Sequence, residues 1–349
     1  MTAAIEVCFT AGRPPVVPVR DGGDDPAGWL AVHRNDVAAV VSGYGAALIR
    51  GLGVRDVAGA AAASRLLVGE LMSEREPFAP RSAHPPLYSS TVWPADQPMC
   101  MHHELSYALQ CPSRLVFCCL TAPDRGGATA LADAAAVLRD LPPELVDRFT
   151  RTGWQLLRTH NDIVGVPWPE AFGSTDRATV ERYCRDNDIA WRWDDDGGLR
   201  TRRVRPAVID HPVTGEPLWC NQIAFLNEWT MEPAVREYLT FEFGADGLPF
   251  NTRYGDGQPL DKATVDLINE VYAAHTVREP WRDGDILVVD NLRMAHAREP
   301  YEGERHVVVA LADPVPLAPA AQSKASDRYS DTSGLIAEQA RTVAATRSG

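Results

Sequence analysis

A chain of 349 residues with ordinary globular composition is long enough to bury a sizeable core, either as one decorated domain or as two smaller ones. Its formal net charge of -13 argues against a nucleic-acid binder, which calls for a basic patch or stripe. The seven cysteines are odd in number, unevenly spaced and without a CxxC pair, the N-terminus lacks a signal-peptide core, and no apolar run reaches membrane-spanning length, so a cytoplasmic protein with reduced thiols is expected.

In chain order, residues 1–27 read as an irregular lead-in with a short strand at 5–9. After a short helical pattern, 43–52 reads as a buried strand closed by glycine turns, and the Ala- and Leu-rich stretch 54–72 as a helix. Prolines make 77–86 a loop. Residues 115–120 form a continuous apolar run of strand length, followed by a tight turn at Gly126-Gly127 that presents Thr129. Asp133 is a good cap for a helix through Leu138, and Pro142 opens another that ends before Gly153.

A helix is expected at 179–187, next to the Trp191-Arg192-Trp193 cluster. The basic run 200–205 has two readings: a solvated face, or a site for an anionic group on substrate or partner. Residues 208–222 read as strand, turn and strand, and Asp261 caps a helix through Ala274 whose Val265, Ile268, Val271 and Tyr272 form a core stripe. A buried strand at 286–289 delivers Asp290, Asn291 and, after a turn, His296; the last strand is 306–311. Residues 1–313 are expected to form a single domain and 314–349 a mobile tail with a weak helix near 333–344. Strands separated by irregular loops, with helices clustered in insertions, suggest a mainly β fold, a jelly roll with helical cover.

The stretch that organises the rest is His102-His103-Glu104. In an extended strand alternate side chains share a face, which places His102 and Glu104 side by side and turns His103 and Leu105 away. A His-x-Glu triplet is common by chance, and a histidine on a strand is more often a satisfied packing residue than a ligand. A third ligand supplied by the fold changes that balance, and His296 is the candidate. Two histidines and a carboxylate on one face of an octahedron are the signature of non-haem Fe(II) sites that activate oxygen. Zinc accepts the same three side chains plus water, so a zinc hydrolase stays open at this point. Arg305, at the entrance to the last strand, could hold a carboxylate in a two-pronged pair, with Thr129 adding a hydroxyl; a hydrolase leaves both without a task.

The chain resembles the taurine dioxygenase/TfdA superfamily of Fe(II)- and 2-oxoglutarate-dependent oxygenases, and most closely its SyrP-like branch of natural-product pathways. The matching pieces lie at 88–91, 102–107, 126–129, 219–222, 251–257, 281–285, 290–291 and 296–305, in family order; each is weak alone and together they are specific. The resemblance implies a double-stranded β-helix with His102, Glu104 and His296 as iron ligands and Arg305 with Thr129 on the distal carboxylate of 2-oxoglutarate. Some relatives carry a second arginine four residues after the first; that place is Val309 here, so Arg298 is either a helper or a structural ion pair. Halogenating relatives replace the metal carboxylate with a small residue, whereas Glu104 is present. The expected activity is therefore hydroxylation of an aliphatic carbon, with O2 as second cosubstrate. The substrate implied is an amino acid or an amino-acid-derived small molecule, free or presented by a carrier protein; desaturation, epoxidation and cyclisation are the alternative outcomes. His103, Tyr107, Trp219 and Trp281 are expected to pack, while Asn221 and Gln222 either line the pocket or satisfy sheet-edge groups.

Overall fold

A computed structural model describes residues 5–20, 25–78, 83–84, 87–89 and 93–317. Ser90 and Thr91 of the first matching piece, and the helix expected at 333–344, lie outside the described residues. The architecture is sheet-rich with helices. Its largest sheet has eight strands in the order Val16–Pro18, Ala46–Arg50, Ile286–Asp290, Gln110–Thr121, His306–Pro316, Leu87–Ser89 and Ala83–His84, with Leu71–Met72 paired to His306–Pro316 off that path.

The three central strands are apolar on both faces. Leu287 and Val289, Leu115 and Cys119, and Val307, Val309 and Leu311 pack into one core. Their neighbours Ile286 and Val288, Val116 and Cys118, and Val308 and Ala310 pack into a second. A strand covered on both sides reads as a continuous apolar run, which is why the sequence shows no alternation there. The second core is roofed by the helices Pro26–Tyr44 and Val57–Leu67, through Leu30, Val37, Val41, Ala60 and Ala63. Each large aliphatic side chain so buried contributes roughly 1.5–3 kcal/mol.

The first core lies between this sheet and a four-stranded one, ordered Thr276–Val277, Thr129–Asp133, Met294–Arg298 and Met99–His102. The Ala134–Asp140 helix starts where expected: Asp133 accepts hydrogen bonds from the Ala135 and Ala136 N–H groups at 3.0 Å each. Asp261 likewise accepts from Thr264 N–H at 2.8 Å and opens Lys262–Ala274.

Several expectations need correction. No strand forms at 5–9; Cys8 makes one bridge to Val16, and the strand is Val16–Pro18. The helix expected at 54–72 spans only Val57–Leu67, because Asp56 caps it through Gly59 N–H and Val68 is already extended. The helical pattern before residue 43 is a full helix of 19 residues. The last strand runs on to Pro316, past the expected start of the tail, because Pro314, Val315 and Pro316 still pair with Pro112, Cys111 and Gln110.

The basic run is neither a solvated face throughout nor an open anion site. It is the strand Leu199–Arg205 of a third sheet, ordered Ala190–Trp193, Leu199–Arg205, Trp154–His160 and Phe250–Tyr254, and its burial alternates strictly. Arg203 is buried and ion-paired with buried Glu76. Arg205 is buried and donates to the carbonyls of Tyr107 and Asn187 at 2.9 and 2.7 Å. Charge in a strand interior survives only with such partners. Among the described residues no helix is long and apolar enough to cross a membrane.

Candidate active site

The four-stranded sheet sets the site by register. His296 lies directly across from His102 on one side and Leu131 on the other, and Arg298 lies across from Thr129. Residues directly opposite in an antiparallel pair share a face, so His102 and His296 are neighbours by construction. Their rings stand 4.2 Å apart, centroid to centroid. From the facing sheet, Phe117 meets the His296 ring at 5.4 Å, and Val309 completes that wall. Met99, His102, Glu104, Phe117, Thr129 and His296 line one cavity together with Arg298, Arg305 and Val309.

Glu104 arrives differently from the strand geometry expected. The Met99–His102 strand ends at His102, and 104–107 form a turn in which Leu105 takes a left-handed φ of 55°. The carboxylate nonetheless converges: one ligand atom each from His102, Glu104 and His296 lie within 4.8 Å of one another, and Glu104 Oε2 is 3.8 Å from His296 Nε2. His102 Nδ1 donates to Cys100 O at 2.8 Å, which fixes the tautomer and puts the lone pair on Nε2. His103, by contrast, points away; its Nδ1 donates to Asn291 O at 2.6 Å, and burial pushes its pKa down to about 4, so it is a neutral packing residue.

At the other end of the cavity Arg305 donates from Nε to Gly127 O at 2.9 Å. Burial and the nearby Arg298 charge lower its pKa to about 10, so an anion between them would be welcome. Thr129 is buried at that end. Arg298 carries a structural load: its guanidinium donates to the carbonyls of Trp93, Pro94 and Gln97 at 3.2, 2.5 and 2.8 Å. No ion pair is among these contacts; the partners are three backbone carbonyls.

Asn221 and Gln222 brace the backbone: Asn221 Nδ2 donates to Ala207 O at 3.1 Å and Gln222 Nε2 to His103 O at 2.8 Å. Tyr107, Trp219 and Trp281 are buried in the first core. Sequence reasoning missed Phe225, whose ring stacks on His102 with centroids 4.3 Å apart and planes within 16°, and Phe78, which meets Phe225 edge-on at 5.0 Å. Neither carries a pattern that separates it from an ordinary core aromatic.

A cavity with a two-histidine, one-carboxylate cluster at one end and a half-buried arginine with a buried threonine at the other suits an Fe(II)- and 2-oxoglutarate-dependent dioxygenase. The chain belongs to the taurine catabolism dioxygenase TauD, TfdA family, whose model matches residues 12–311. It is 32% identical over 283 residues, 81% of this chain and 86% of the relative, to the dapdiamide synthesis protein DdaC of Enterobacter agglomerans. A clavaminate synthase-like protein of Arabidopsis thaliana is 27% identical over 64% of this chain and 68% of its own. A solved structure of a putative alpha-ketoglutarate-dependent taurine dioxygenase from Burkholderia xenovorans shares the fold at a TM-score of 0.52 and 16% identity, covering 95% of this chain and 98% of that one.

Proposed function

We propose that the enzyme hydroxylates an unactivated aliphatic C–H bond of an amino acid or an amino-acid-derived small molecule in a biosynthetic pathway. On this reading His102, Glu104 and His296 hold Fe(II), Arg305 and Thr129 hold the distal carboxylate of 2-oxoglutarate, and the two facing sheets are the halves of a double-stranded β-helix. The observation that carries it is the convergence of the three ligating side chains within 4.8 Å in the same cavity as Arg305 and Thr129. The donor set fits ferrous iron: two imidazoles and one carboxylate would hold the ion from one side of the cavity and leave room beside it for the cosubstrates. The likeness to DdaC, a dapdiamide synthesis protein, supports a small-molecule substrate of a biosynthetic pathway.

When bound, the iron and 2-oxoglutarate supply the oxidation itself, O2 being consumed as the keto acid is converted to succinate and CO2 and the substrate is hydroxylated. The chain's own part is orientation and exclusion. His102 is held in one tautomer by the Cys100 carbonyl and flat against Phe225. Arg305 fixes the cosubstrate end with a guanidinium already held on the Gly127 carbonyl and able to make a charge-assisted pair with a carboxylate. Phe117, Met99 and Val309 keep the walls between the two ends apolar.

Anaerobic addition of Fe(II) and then 2-oxoglutarate to metal-free protein tests the reading. A weak visible charge-transfer band of the chelated keto acid is expected, and candidate amino acids, free or carrier-bound, are then screened for perturbing it. Folded protein that gives no band overturns the cosubstrate assignment.

A further inference from the structure

His102 and His296 are registered by the ladder, because they are direct cross-strand partners. Glu104 lies outside that ladder, two residues beyond the end of the Met99–His102 strand. What holds it is a side chain from the turn that leads into the strand carrying His296. Asn291 Oδ1 accepts from Glu104 N–H at 2.9 Å, and Asn291 Nδ2 donates to Glu104 O at 3.0 Å. One amide thus takes both polar groups of the Glu104 main chain. Asn291 is itself fixed: Nδ2 also donates to Pro112 O at 2.8 Å, its N–H to Ser113 O at 3.0 Å, and its carbonyl receives His103 Nδ1. It is fully buried.

We infer that Asn291 is the positioning residue for Glu104, an assignment that rests on the reading of His102, Glu104 and His296 as metal ligands. The turn at 104–107 is held with Leu105 in a left-handed conformation that costs a leucine energy and persists only where its surroundings over-determine it. The required partner must accept once and donate twice in one plane, and of side chains this short only asparagine does so. Asn291 therefore links the two parts of the chain that bring the carboxylate and the second histidine together.

The test is Co(II) titration of metal-free protein, followed by visible absorption and calorimetry. Asn291→Asp loses the donors and keeps the volume; Asn291→Ala loses the whole clamp. Both are expected to weaken Co(II) about 10- to 100-fold, the usual range for a partner that orients a ligand. Glu104→Ala should weaken it comparably, and Glu104→Ala/Asn291→Ala should bind no worse than Glu104→Ala alone. A merely structural role predicts a lower melting temperature with unchanged affinity in the folded protein; that result, or losses that multiply in the double variant, overturns the assignment. Wild-type protein that takes up no Co(II) overturns the metal reading itself and this inference with it. Hydrogen exchange on unmodified metal-free protein keeps the clamp exposed to refutation if both variants misfold: the Glu104 amide must exchange as slowly as those of Leu115 and Val116, and fast exchange overturns it.

Discussion

Arg305 reaches its place in the cavity by donating from Nε to the carbonyl of Gly127 at 2.9 Å, and Gly127 has no room for any other residue. A Cβ there would sit 2.9 Å from Tyr301 Cβ and 3.1 Å from Arg305 Cδ, and the glycine's φ is +67°. Gly127→Ala should therefore displace the guanidinium and weaken 2-oxoglutarate binding, measured through the charge-transfer band, while Fe(II) uptake persists. Unchanged 2-oxoglutarate affinity would remove Gly127 from the anchor.

Arg305→Ala should act on the same quantity more strongly. Losing a charge-assisted contact with a carboxylate costs about 2–5 kcal/mol, or roughly 30-fold and upward in the 2-oxoglutarate dissociation constant. Unchanged affinity would shift the anchor to Arg298.

Arg298→Ala is expected to act mainly on stability, because its guanidinium serves three carbonyls of the 93–97 segment. Losing charged hydrogen bonds of this kind costs about 1.5–3 kcal/mol each at most. Thermal unfolding checks this; a variant as stable as wild type would refute it.

His296→Ala should abolish Fe(II)-dependent turnover and the charge-transfer band with the circular dichroism spectrum intact. Retained turnover would exclude His296 from the triad.

Acid should destabilise the protein in two stages. His160 is fully buried, and desolvation lowers its pKa to about 3 from an ordinary 6.5, so the unfolded chain binds the extra proton first and stability is lost as pH falls from about 6.5 toward 3. Glu76, held down to about 2 by Arg203 against the opposing cost of burial, keeps its contribution above about 4.5 and loses it as pH falls toward 2. A pH series of melting temperatures should show a flatter slope between pH 6 and 4 for His160→Phe; an unchanged slope would place the titrating group elsewhere.

Much of the site was legible because its chemistry requires particular residue types. The roles proposed for His102, Glu104, His296, Arg305 and Thr129 call for particular side chains, so these residues stand out in the linear text, as do helix caps such as Asp133 and Asp261. Features whose meaning depends on what faces them were not legible. Arg203 and Arg205 look like any solvated basic run until Glu76 and the Tyr107 and Asn187 carbonyls are brought to them from distant parts of the chain. Phe225 is one aromatic among many until its ring lies on His102.

The inventory could be read from the linear chain: the side chains proposed as ligands, the buried strands that read as unbroken apolar runs, and the family. How Glu104 joins the two histidines was not written in local spacing, because a strand that stops at His102 cannot carry it there by alternation. The carboxylate is delivered by a turn whose backbone is held by Asn291, and such a contact is set by packing between segments far apart in the chain, which no local spacing encodes.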